Sequence, residues 1–279
     1  MITLVDCYKE TQFEVAKSAY KATCHYLTLE NGNPHPHGSG VFIEIDGSKF
    51  LITAAHVVDD KENDIYIGID TNELLTLGGE LIRNVAPGDR SGDKIDISIL
   101  KLNQETIDKI GDKYEFVKKN EIGVNHEFRN LPMYTSVGFP ASKSKYNSFK
   151  NKIKSTPFIY HTMPGPPEIY NKLNCEMFSN IIVHYDKGKV RDLTTKQLSI
   201  GPDPFGISGS VLWFTPFTPA QVVKDKNDYI HKKLVAIMTE WPIENRKFWI
   251  GTRIDVITEI IRQKYGLSIE KSNIVGVNL

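Results

Sequence analysis

The sequence predicts an all-β body with one amphipathic helix near each end. Three observations carry this. Apolar residues recur in short runs with a period of two rather than 3.6. The runs are rich in β-branched and aromatic residues and bounded by Gly, Pro, Asn or Asp. They follow one another at near-regular spacing with few helical patterns between them, which favours a sandwich or barrel over alternating β–α units.

The first helix is predicted in "TQFEVAKSAYKA", opening on a Thr11/Glu14 capping box with Phe13, Ala16 and Tyr20 on its apolar face. "GSGVFIEIDGSKFLITAAHVV" then reads as two strands: Val41, Ile43 and Ile45 alternate with Phe42 and Glu44, and Asp46-Gly47 is a hairpin turn. "DIYIGID", "KIDISILKL", "MYTSVGFP", "NIIVHYD", "SGSVLWF", "LVAIMTE" and "KFWIGT" repeat the strand pattern. "TRIDVITEIIRQKYG" closes the body as a helix. Its expected cap is Thr252 with Asp255, its stripe Ile254, Ile257, Ile261 and Tyr265, and its stop Gly266. The stretch from 141 to 200 is least regular. It begins with Lys143, Lys145, Lys150, Lys152 and Lys154 and no acid, which reads as a solvated hairpin or loop ahead of a nucleic-acid patch.

At 279 residues with 40% hydrophobic side chains, the chain can bury a sizeable core. Its 34 basic and 34 acidic residues cancel, so no net field draws it to nucleic acid or an anionic membrane. No apolar run is long enough to span a bilayer, and the N-terminus lacks a secretory pattern. Cys7, Cys24 and Cys175 are odd in number and far apart, which argues against a zinc ribbon or disulfide framework and for a reducing, cytoplasmic setting. His35 and His37 in "NPHPHGSG" lack a third ligand nearby, so neither a metal nor another cofactor is expected.

Three polar residues stand out. His56 follows a strand and two alanines, where an imidazole projects into a cleft or is simply structural. Asp96 interrupts an apolar run; it faces water from an edge or is buried against a donor such as a histidine. Asp93 is a nearby competitor in a turn. Ser208 lies between Gly206 and Gly209, whose backbone freedom permits a sharp turn. Such a turn can aim the amides of Gly206 and Ser208 at one point, as an oxyanion hole requires. A strand follows the motif, not the helix of a hydrolase elbow. The order His–Asp–Ser is the one used by chymotrypsin.

With these residues in that order, the chain resembles chymotrypsin-fold (trypsin-like) serine peptidases of the disulfide-free bacterial kind, distantly the peptidase core of the HtrA group. The likeness rests on the T-A-A-H block, "DISILKL", "VGFP", "GISGSVLW" and "GTRIDVITEII", and covers roughly residues 20 to 265. It implies two six-stranded antiparallel β-barrels and the following division: 1–22 a helical extension, 23–130 the barrel carrying His56 and Asp96, 131–266 the barrel carrying Ser208 with its closing helix, 267–279 a tail. The tail is too short for a further domain. The likeness also implies an endopeptidase in which Ser208 attacks, His56 moves the proton, Asp96 orients the imidazole, and the Gly206 and Ser208 amides hold the oxyanion.

The chain departs from the digestive branch in three places. Ile207 stands where an Asp pairs with a freshly cut N-terminus, so control by such cleavage is not expected, and any control would have to come from a regulatory partner protein, an added domain or the loops. Ser210 replaces a Gly. Pro202 occupies the pocket position that is acidic in trypsin-type enzymes, while Asp203 beside it and Thr239 and Glu240 on the wall strand complete the expected substrate pocket. Asp203 or Glu240 could favour Lys or Arg at P1, or both could point to solvent. The substrate is expected to be one protein or peptide class inside the cell. The competing reading is a silent peptidase fold acting as a binding or sensing module.

Overall fold

The computed structural model describes residues 4–59, 65–70, 73–85, 90–128, 133–147, 152–191, 197–215 and 232–277. In chain order the first half holds α1 (Leu4–Ala22), β1 (Thr23–Glu30), β2 (Asn33–Ile45), β3 (Ser48–Thr53), α2 (Ala55–Val58), β4 (Tyr66–Asp70), β5 (Glu73–Thr76), β6 (Gly79–Arg83), β7 (Ser98–Leu102), α3 (Gln104–Ile110) and β8 (Val117–Lys118). The second half holds β9 (Met133–Gly138), β10 (Ser144–Asn147), β11 (Lys152–Ser155), β12 (Phe158–Thr162), α4 (Glu168–Lys172), β13 (Asn180–His184), β14 (Val190–Arg191), β15 (Leu198–Ser199), β16 (Val211–Thr215), β17 (Lys233–Glu240), β18 (Phe248–Arg253) and α5 (Ile254–Tyr265).

Two curled antiparallel sheets result. The first runs β5-β4-β1-β2-β3-β7-β6, with β8 added parallel to β2; the second has the expected six strands, β12-β9-β16-β17-β18-β13. The β2–β3 hairpin turns on Asp46 (φ 47°) and Gly47 (φ 79°), the left-handed pair that a two-residue hairpin demands. β2 is buried on both faces. Val41, Ile43 and Ile45 join a core between the two sheets, while Phe42 points into the first half-barrel.

That central core also takes Val137, Val211 and Ile237 from the second sheet, Val15 and Ala19 from α1, and Ile254, Ile257 and Ile261 from α5. Both helices therefore plug the seam between the sheets, and each large apolar side chain so buried contributes on the order of 1.5–3 kcal/mol. Tyr134, Trp249, Ile181 and Leu212 fill the second half-barrel.

Both helix starts differ from expectation. α1 begins at Leu4, because no Pro or Gly interrupts the residues before Thr11. Its packed face is Val15, Ala16, Ala19 and Ala22, whereas Phe13 and Tyr20 are exposed. Small residues let the helix approach β9 and β16 closely, which aromatics would prevent. At α5 the N-cap is Arg253, and Thr252 still belongs to β18. The Thr252 hydroxyl donates to the Ile95 carbonyl at 3.2 Å, and Asp255 accepts from Asn125 N–H (2.8 Å) and the Ser272 hydroxyl (2.9 Å). Gly266 ends the helix in the left-handed conformation, as expected. The lysine-rich stretch is the β10–β11 hairpin, with Lys143, Lys145 and Lys154 exposed; Lys150 lies outside the described residues.

Candidate active site

His56 sits on α2, a single turn directly after β3. Ala54 and Ala55 are fully buried, so a larger residue at either place would push the turn away. The turn is tied down by Asp96. The Ala55 amide donates to the Asp96 carbonyl (3.2 Å), the His56 amide to Oδ1 (2.9 Å), and the His56 ring Nδ1 to Oδ2 (2.5 Å). An ionised carboxylate only accepts, so this contact selects the tautomer protonated at Nδ1 and leaves a lone pair on Nε2. Asp96 is 5% exposed, which resolves its two readings in favour of the buried pair.

Asp93 does a different job. Its Oδ1 accepts the amides of Ile95 (3.0 Å) and Asp96 (3.1 Å), and its Oδ2 takes Asn84 Nδ2 (2.6 Å) and Arg90 (2.7 Å). Burial pushes the Asp93 carboxyl up, but the bonds from Asn84, Ile95 and Arg90 outweigh it and hold the group below its usual range. Arg90 also clasps Asp59, just past α2, and that bond raises the guanidinium's pKa further. Asp93, Arg90 and Asn84 thus brace the approach to Asp96 and the end of the His56 turn from one side.

The Ser208 turn is fixed by glycine geometry. Gly206 and Gly209 have φ of 84° and 85°. A Cβ at Gly209 would lie 1.8 Å from the Ser39 carbonyl oxygen and 2.3 Å from Thr53 Oγ1, so this turn packs on the end of β3, three residues before His56. Ser39 joins the two halves. Its carbonyl accepts the Thr53 hydroxyl (2.7 Å), its amide donates to the Ser208 carbonyl (2.8 Å), and its hydroxyl donates to the Gly206 carbonyl (3.2 Å) while accepting the Phe139 amide (2.9 Å). Ala141 N–H holds the Phe205 carbonyl at 2.8 Å. The amides of Gly206 and Ser208 donate to no acceptor among the described residues, whereas those of Ile207, Gly209 and Ser210 are bonded. Ser39 was missed by sequence reasoning; its signal was the "GSG" that opens the first strand block.

The structure therefore brings His56 to Asp96 and sets the Ser208 turn against the strand leading to His56. It does not form the expected Ser208–His56 bond. The Ser208 hydroxyl instead donates to the Thr239 carbonyl at 3.4 Å, long for an O–H···O contact and correspondingly weak.

A cavity of about 280 Å³ adjoins Ser208, lined by Asp203, Thr239, Glu240 and Trp249 among others. Pro202 is not among its walls, because the Tyr185 hydroxyl holds the Pro202 carbonyl at 2.6 Å. Neither expected acid is a free anion: Lys187 meets Asp203 at 2.7 Å and Lys94 meets Glu240 at 2.6 Å. A larger cavity of about 580 Å³ lies between α1, β1 and the β10–β11 hairpin. It contains His25, held by burial as a neutral ring with its pKa lowered to about 3.

His37 bonds the Val57 carbonyl at 2.9 Å and His35 lies 3.5 Å from Glu30. Among the described residues no group of three ligand-type side chains could hold a metal.

No family model matches the chain, and no curated protein matches it. Solved structures do. One is neuropsin, a serine protease expressed in the limbic system of mouse brain, with a TM-score of 0.53 and 12% identity over 89% of this chain and 96% of that one. At that identity the likeness concerns the fold alone. The chain has the chymotrypsin-like architecture: two antiparallel half-barrels with a closing C-terminal helix.

Proposed function

We propose that this protein is a serine endopeptidase working through Ser208, His56 and Asp96. The observation that carries the reading is the double grip of Asp96 on His56 beside a serine turn whose Gly206 and Ser208 amides are unspent. On this reading the Ser208 hydroxyl gives up its weak Thr239 contact for the imidazole when substrate binds, since catalytic hydrogen bonds often tighten only in the complex. His56 Nε2 then takes the hydroxyl proton as Oγ bonds to the scissile carbonyl carbon. The carbonyl electron pair moves onto oxygen, which the two amides hold, each donor being worth on the order of 3 kcal/mol. The imidazolium passes its proton to the leaving nitrogen and the C–N bond breaks. Water, activated by the same imidazole, releases the acyl group.

Ile207 is buried among apolar residues, which supports control other than by an Asp–N-terminus ion pair. Buried free thiols at Cys24 and Cys175 support a reducing, cytoplasmic setting. Among the described residues no helix is long and apolar enough to cross a membrane. The second reading, a silent fold that binds rather than cuts, is favoured by the Ser208–Thr239 contact. Incubation with a peptide library and mapping of cut sites by mass spectrometry separates the two. Cuts that vanish in Ser208→Ala support the peptidase; an unchanged library supports the binding module.

A further inference from the structure

We propose that the cavity beside Ser208 selects an acidic P1 side chain, glutamate above all; this rests on the peptidase reading and adds its substrate class. The cavity's volume, about 280 Å³, admits phenylalanine, lysine or glutamate alike, so size does not choose. Hydrogen-bonding groups do. The two carboxylates on its wall each have a lysine, Asp203 with Lys187 and Glu240 with Lys94. The cation left over is Arg246. It lines the cavity, lies 4.3 Å from the Trp241 ring centroid, and among the described residues pairs with no carboxylate.

Trp249 forms the cavity's inner wall: the residue is 1% exposed, and its indole N–H is sealed inside the protein without an acceptor among the described residues. Tyr185 stacks against that ring with centroids 4.1 Å apart, but its hydroxyl is committed to Pro202. The other indole is also committed, since Trp241 Nε1 donates to the Arg246 carbonyl at 3.0 Å.

An apolar P1 group would strip water from the Arg246 guanidinium and offer it no acceptor in return. A lysine would meet carboxylates that already hold ammonium groups, together with the Arg246 charge. A glutamate carboxylate accepts from the Arg246 guanidinium and balances the surplus cation. Glutamine offers the acceptor without the charge and ranks second.

The test measures how fast Ser208 is modified by diphenyl phosphonates that differ only at P1, bearing Glu, Gln, Phe or Lys side chains. A fluorophosphonate without a P1 group runs in parallel. The Glu probe should react about tenfold or more faster than the Phe and Lys probes. Arg246→Gln, a change at an exposed residue, should bring the Glu rate down to the Gln rate. Equal rates, a Phe or Lys preference, no reaction with any of the four, or a Glu preference that survives Arg246→Gln overturns the assignment. Failure of the plain fluorophosphonate to react overturns the peptidase reading itself, a separate result.

Discussion

Asp96 binds His56 twice: one carboxylate oxygen takes the residue's amide at 2.9 Å and the other its ring Nδ1 at 2.5 Å. One side chain thus sets the position of the turn and the tautomer of the ring. Asp96→Asn keeps the shape but offers an NH₂ where the ring proton needs an acceptor. Turnover is expected to fall by about 10⁴, with the circular-dichroism spectrum unchanged. A fall of less than tenfold would mean the pair does not orient the histidine.

Ser39 ties the Ser208 turn to the first half-barrel. Ser39→Ala leaves the buried Phe139 amide unsatisfied, costing about 1–3 kcal/mol of stability, and frees the Gly206 carbonyl. The expected signature is a lower kcat with a smaller change in KM, because the loosened turn carries the amides proposed to hold the oxyanion. Denaturant titration and steady-state kinetics on the same preparation check both parts.

Two glycines with nearly equal φ should respond very differently to alanine. At Gly47 (φ 79°) a Cβ meets nothing within 4 Å, so Gly47→Ala should cost only the backbone strain, about 1–2 kcal/mol. At Gly209 (φ 85°) a Cβ would meet the Ser39 carbonyl at 1.8 Å, so Gly209→Ala must displace the turn as well. Its cost should exceed about 4 kcal/mol. Thermal denaturation of the two variants ranks them; a similar shift in Tm would contradict the close packing of this turn on β3.

Acid should unfold the protein through its buried histidines. Burial lowers the pKa of His25 to about 3 and that of His161 to about 4, and burial together with the Arg253 charge lowers His126 to about 4. These rings stay neutral when folded and take a proton when unfolded, below the ordinary value of 6.5. Their contribution is therefore complete above pH 6.5 and drains away as pH falls towards 4. Each group removes at most about 1.4 kcal/mol per pH unit in that window. Urea midpoints measured from pH 7.5 to 4 should drop steadily; a flat profile would place these histidines in contact with water.

The sequence made His56, Asp96 and the Ser208 turn legible for a shared reason: each is a polar or glycine-rich interruption of an apolar strand pattern. α5 was legible from its stripe of Ile254, Ile257 and Ile261, which the structure buries completely. What stayed hidden depends on contacts distant in sequence. Lys94 neutralises Glu240 from 146 residues away, and no local pattern announces such a pair. β1 escaped notice because Thr23, His25 and Thr28 are buried polar residues in a strand covered on both faces, which erases the alternation. α1 was misjudged in its start and its face because its contact surface is built of alanines, which carry little hydrophobic signal. The Ser208 hydroxyl's turn toward Thr239 is a single torsion, which no sequence pattern encodes.

The most direct measurement is intact-mass and peptide mapping of the native protein after reaction with a fluorophosphonate. The account predicts one adduct per chain, on Ser208, lost on denaturation and absent from Ser208→Ala and His56→Ala. A native protein that takes up no label, or one labelled equally well without Ser208, would contradict it.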